Sequence, residues 1–344
     1  MHESYLILFF TEMNKSFQNK WCILHSYETL PHYSKSDVDM AFSGTNVADL
    51  ESLLVRVAKK TGWSIYQKLW YDVKNCYYYV LKENDSEVYL ALDFLMDNDG
   101  IGRYGFTTKI LTQDCVMYNS LFPVPNPEVA FCYKLVKRIE KQRSLEEDKE
   151  YLISQYSNSD ALKVNEFLKG QFSAEGSRMI VEYLQESRSL TKKDLSFLKL
   201  QRKRNTSSVV SSLKYIQWET IRTCNRMLYP RGMQITVPPL KEKDLNLFLN
   251  LLNKKVDILF RFVDYSKSNS FWSSFSAMSG STLLIIENHN FVGKNAIKYN
   301  WFASYSLSPS ELKNVEGNVQ KLSEVYYQAI IKVLPLKLPK KLMV

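Results

Sequence analysis

The chain has 344 residues, with 45 Lys and Arg against 36 Asp and Glu, for a formal charge of +9. Hydrophobic residues make up 45% and charged residues 24%. That is enough to bury a real core, and it excludes collagen-like, disulfide-scaffold and wholly disordered chains. At roughly 100–200 residues per domain, the length predicts two domains or three small ones.

The positive balance suits phosphate-bearing partners, polyanionic glycans or an anionic membrane surface, and does not by itself indicate nucleic acid. The five cysteines, Cys22, Cys76, Cys115, Cys132 and Cys224, are odd in number, widely spaced and without a CxxC pair. They read as reduced, mostly buried residues of a cytoplasmic protein. The histidines His2, His25, His32 and His289 are scattered, which disfavours zinc. The apolar run YLILFF (5–10) lacks a basic flank and a cleavage site and is too short to span a bilayer. It is expected to be the buried face of a first helix. The basic and apolar tail LPLKLPKKLMV (334–344) suggests, at most, peripheral contact with the inner face of a membrane.

In chain order, periodicity predicts a helix over 4–19, a short strand at 21–25 and a strand at 37–42. A helix over 46–60 follows, with Leu50, Leu53, Leu54 and Val57 on one face. Strands are expected at 63–71, 76–82 and 87–95, the last two joined by the turn at 83–86. The segment 97–106 reads as a flexible loop, and the prolines of 122–131 read as a hinge. A helix then starts at Pro127 and runs to about Arg143. Residues 147–226 look helical throughout, and the basic stretch 192–204 reads as a solvated face or a phosphate-binding one. After a turn at 230–232 the pattern becomes strand–helix–strand–strand, with strands to 237, at 257–265 and at 282–288, a helix at 241–255 and a final helix over 310–334. The expected fold class is α+β: a sheet with helices, a helical region, then a small α/β unit. The corresponding domains are 1–145, 146–228 and 229–344.

The strongest chemical signal is S-D-V-D-M at 36–40. On a strand, residues two apart point to one side, so Asp37 and Asp39 share a face. Two carboxylates held that close repel unless a cation lies between them, and a hard divalent cation is the natural partner. Asp93, inside the apolar run LALDFLMD, is costly to bury unless paired or metal-bound. If its strand lies beside 37–42, the three carboxylates can hold two Mg²⁺ ions, orient a triphosphate and accept a proton through Asp93.

This order of strand, turn, ten-residue loop, D-h-D-h, helix and strand Asp resembles the DNA polymerase β-type nucleotidyltransferase superfamily. The family places a Gly-Ser or Gly-Gly pair after the first strand, where this chain has His25-Ser26. LHSYETLPHYSKSDVDMAF (24–42) and VPNPEVAFCYKLVKRIEK (124–141) are more closely similar to nucleotidyltransferase-like proteins of bacterial surface-polysaccharide gene clusters. Those proteins often carry a thymidylate-kinase-like domain, and the segment 218–252 resembles its first strand and helix. VPPLKEKDL (237–245) stands where the glycine-rich phosphate loop belongs, so that half reads as a kinase-shaped remnant.

The resemblance implies Mg²⁺ as cofactor and a nucleoside triphosphate as substrate. Asp37, Asp39 and Asp93 would be the catalytic metal ligands, and Ser26, Ser36 and Lys134 or Lys137 would meet the triphosphate. His32 and Lys35 are lesser candidates for the phosphates, and Glu287 and His289 are candidates for a leftover kinase motif. The implied acceptor is a glycan or sugar derivative, with polysaccharide-assembly proteins as neighbours and no DNA partner. The alternatives are an inactive scaffold of polysaccharide assembly, or a toxin-like or drug-modifying nucleotidyltransferase.

Overall fold

The structure, a computed structural model, describes residues 2–32, 37–44, 46–70, 75–97, 102–206, 209–228, 232–260, 262–266, 282–287, 303–315 and 317–334. The protein is mixed α+β with several sheets. It divides into two units. The first comprises Met1–Leu53, Tyr71–Tyr77 and Leu92–Trp218, and the second Leu54–Trp70, Tyr78–Ala91 and Glu219–Val344.

The chain opens with α1 (His2–Ser16), β1 (Trp21–Ile23), β2 (Val38–Phe42) and α2 (Val47–Thr61). β3 (Trp63–Trp70), β4 (Cys76–Glu83) and β5 (Tyr89–Leu95) follow, and the sheet order is β1-β2-β5-β4-β3. β1 pairs antiparallel with β2, and β2 pairs parallel with β5. β2 is buried along its whole length, its acidic residue included. Its Asp therefore points into the protein and needs partners. The α1 face predicted from YLILFF is buried: Phe10 stacks on Trp21 with centroids 5.8 Å apart, and Phe9 meets Phe94 edge-on at 6.3 Å.

A short helix α3 (Thr108–Leu111) and a small antiparallel pair, β6 (Val116–Tyr118) and β7 (Phe122–Val124), come next. β7 occupies the segment expected to be a hinge. Pro123 sits opposite Met117 in a two-stranded ribbon, where an edge position tolerates the missing N–H. α4 (Pro127–Lys141) starts as the sequence predicts: the Asn126 side chain accepts from Val129 N at 2.9 Å, and Pro127 follows at the first helical position. α5 (Lys149–Ser157), α6 (Ala161–Gln171), α7 (Ala174–Leu184), α8 (Lys192–Thr206) and α9 (Val209–Leu228) form the helical stretch. Asp160 and Ser173 cap α6 and α7 through their side chains. Leu135, Leu152, Leu168, Ile180 and Leu198 bring α4 to α8 into one core.

In the second unit, β8 (Met233–Val237), α10 (Glu242–Val256), β9 (Phe262–Ser266), β10 (Thr282–Glu287) and β11 (Ala303–Ser306) build an all-parallel sheet of order β11-β8-β10-β9. Phe248 and Leu252 of α10 pack into its core. The predicted strand at 257–265 begins only at Phe262, because 257–259 forms a turn after α10. The single final helix is in fact two, α11 (Pro309–Val315) and α12 (Val319–Val333). Gly317 breaks them, at a φ of 72° that favours glycine. Among the described residues no helix is long and apolar enough to cross a membrane.

Candidate metal centre

β2 and the residue before it place Asp37 and Asp39 two apart on extended chain. The parallel pairing sets Asp39 directly opposite Asp93 of β5. One carboxylate oxygen from each of the three lies within 4.8 Å of the others. Asp39 and Asp93 are 6% and 3% exposed, so the cluster is desolvated and its charges must be answered locally.

Arg103 supplies much of the answer. Its guanidinium forks onto Asp93, with Nη1 donating to Oδ2 at 2.9 Å and Nη2 to Oδ1 at 3.1 Å, and Nη1 also lies 3.5 Å from Asp39 Oδ1. The buried Cys76 thiol touches both Arg103 Nη2 and, at 3.6 Å, Asp93 Oδ1. Arg103 is held by a tight turn, not a flexible loop. Arg103 and Phe106 exchange backbone hydrogen bonds at 3.0 and 3.1 Å, and Asp97 Oδ2 accepts from Gly102 N at 2.8 Å. Gly102 has a φ of 62°, and a Cβ there would fall 2.1 Å from Phe106 O, so only glycine fits. Arg202 of α8 closes the turn from outside by donating to Tyr104 O, and it also pairs with Glu140. One arginine of the basic stretch 192–204 is thus buried and structural.

From α4, Lys137 Nζ reaches Asp39 Oδ2 at 3.3 Å and also touches His25 Nε2. His25 Nε2 lies 2.9 Å from Asp39 Oδ2, and its Nδ1 lies 3.1 Å from Ser26 Oγ. Burial lowers the pKa of His25 despite Asp39 beside it. Burial alone would raise Asp39, yet His25, Lys137 and Arg103 hold its carboxyl well below the usual range. Asp37 moves the other way, to about 6, through burial first and then repulsion from Asp39 and Asp93, against Lys137 and Arg103.

Of the residues assigned to the triphosphate, Ser26 borders the cluster through His25. Lys134 points elsewhere: its Nζ pairs with Asp148 Oδ1 at 3.1 Å, and Arg138, one turn on, shares that carboxylate. Lys137 is the α4 lysine at the carboxylates. Ser36, Lys35 and His289 lie outside the described residues. His32 pairs with Glu3 at 2.9 Å on the surface, and Glu287 accepts from Tyr265 within the second unit. Sequence reasoning missed Arg103 and Cys76. The signal for Arg103 was the glycines on either side of it, Gly102 and Gly105, which look like flexibility but build a tight turn.

The residues present fit a hard divalent cation. Three carboxylates offer oxygen donors, and with Arg103 and Lys137 as fixed positive charges the cluster keeps one formal negative charge in excess. The Tyr133 hydroxyl, buried in the same region, makes no hydrogen bond among the described residues. The buried acidic triad can therefore hold a metal ion. Compared with protein-family models, curated proteins and solved structures, the chain matches none.

Proposed function

We propose that the protein is a divalent-cation-dependent nucleotidyltransferase in which a hydroxyl or phosphate of a sugar-derived acceptor attacks the α-phosphorus of a nucleoside triphosphate, taking the nucleoside monophosphate and releasing pyrophosphate. The observation that carries this reading is the meeting of Asp37, Asp39 and Asp93 within 4.8 Å. Mg²⁺ or Mn²⁺ held there supplies charge neutralisation to a triphosphate when bound. Asp37, Asp39 and Asp93 hold the cation. Arg103 fixes the rotamer of Asp93, which takes the proton of the attacking hydroxyl. Lys137, over Asp39, adds positive charge where phosphate oxygens gather. The surface-polysaccharide context rests on the resemblance of 24–42 and 124–141 alone.

The test is label transfer from α-labelled nucleoside triphosphates to a cell-envelope extract with Mg²⁺ or Mn²⁺. Asp37→Asn suits it best, because Asp39 and Asp93 also anchor buried bases. Its rate is expected to fall by about a hundredfold or more, and undiminished transfer refutes the assignment. A second reading has its own observation. Arg103 already grips both oxygens of Asp93, and Lys137 and His25 already meet Asp39. A cluster answered so fully from within suits a non-catalytic scaffold in which it is a structural ion network. Mn²⁺ titration followed by electron paramagnetic resonance separates the two, since the scaffold binds none.

A further inference from the structure

Tyr133 lies one helical turn before Lys137 on α4, on the face that meets the carboxylates. Its ring is bracketed by the neighbours of the cluster's bases. The His25 ring lies 6.4 Å away at 22°, and the Tyr104 ring, next in sequence to Arg103, lies 6.2 Å away. The side chain is 1% exposed, and its hydroxyl sits in the electric field of Arg103, Asp39 and Asp93. Yet among the described residues that hydroxyl has no hydrogen-bond partner. Buried tyrosine hydroxyls ordinarily find one, and a phenylalanine would fill the same space without this cost.

We propose that Tyr133 is a ligand-binding residue of the carboxylate centre, its hydroxyl donating to an oxygen that arrives with the divalent cation. That oxygen is either a water on the cation or a phosphate oxygen of the bound triphosphate. The inference rests on the metal reading of Asp37, Asp39 and Asp93 and assigns a group that the carboxylate pattern did not include.

Tyr133→Phe removes only the hydroxyl. Free Mn²⁺ is measured by electron paramagnetic resonance with the wild-type chain and the variant, with Mn²⁺ alone and with Mn²⁺ plus inorganic tripolyphosphate. Thermal unfolding of both cation-free chains is recorded alongside. The expected result is an unchanged or higher melting temperature together with an affinity weakened about three- to tenfold. A loss already present with Mn²⁺ alone identifies the acceptor as a metal-bound water, and a loss only with tripolyphosphate identifies it as a phosphate oxygen. Equal affinity in both arms overturns the role of Tyr133 and leaves the metal centre standing. A lowered melting temperature with affinity intact assigns the hydroxyl to the fold and overturns it too. Absence of Mn²⁺ binding by the wild-type chain overturns the metal reading itself, and this inference with it.

Discussion

Ser26 adopts a φ of 56°, in the left-handed region where a side chain costs roughly 1–2 kcal/mol. It is the second residue of His25-Ser26, the pair that stands where the sequence resemblance implies Gly-Ser or Gly-Gly. The hydroxyl offsets part of that cost through the 3.1 Å contact with His25 Nδ1. Ser26→Gly and Ser26→Ala both delete that contact, and only glycine relieves the backbone. The glycine variant is therefore expected to be more stable than the alanine variant by about 1 kcal/mol in urea unfolding. Equal midpoints, or a more stable alanine variant, would contradict the strain. This position also shows what could be read early. The departure from the glycine pattern was visible in the sequence. Its consequence depended on a dihedral angle that no residue type dictates.

α4 contributes both to the helical core of the first unit and, through Lys137, to the carboxylate cluster. Its start was legible because Asn126 and Pro127 act locally, one by accepting an amide and the other by fixing φ. Which of its basic residues faces the carboxylates was not, because Lys134, Lys137 and Arg138 are equivalent by composition and differ only in what lies opposite. Lys134 and Arg138, four apart, both meet Asp148 at the end of a 3₁₀ turn (Glu146–Asp148), while Lys137 turns towards Asp39. Burial would raise the pKa of Asp148, but Arg138 and Lys134 lower it below the ordinary carboxylate value. A depressed folded-state pKa contributes stability that is present above the unfolded value, near 4, and lost as pH falls through the folded one. Asp148→Asn is therefore expected to cost about 1–3 kcal/mol at pH 7. Its stability should also fall less steeply than that of wild type below about pH 4. Urea midpoints measured at pH 7 and at pH 3 check both, and parallel losses at the two pH values would refute the assignment.

At the scale of the whole molecule, the second unit holds an all-parallel sheet and a strand–loop–helix from β8 to α10. The connecting residues Pro238 to Lys241 contain no glycine, and Lys241 caps α10 without a side-chain bond. That start lacks the glycines of a phosphate-binding loop, and the three carboxylates that carry the proposed cation chemistry lie in the first unit. A cation that binds only the folded chain must stabilise it. At a hundred times its dissociation constant, Mn²⁺ is expected to add about 2.7 kcal/mol and raise the melting temperature, while an equal ionic strength of Na⁺ does not. Equal melting curves in the two salts would argue that the carboxylates are satisfied from within.

The sequence by itself determined the elements whose causes are local: the amphipathic face of α2, the capped start of α4, the helical run from α5 to α9, and the three aspartates as the residues to watch. Those follow from side-chain periodicity and capping, which act over a few residues. Only the tertiary structure decided that Asp39 stands opposite Asp93, that Arg103 grips both, that Lys137 reaches Asp39 where Lys134 does not, and that the Tyr133 hydroxyl lies buried nearby without a partner among the described residues. Strand register and desolvation make those choices, and both arise from chain segments dozens of residues apart.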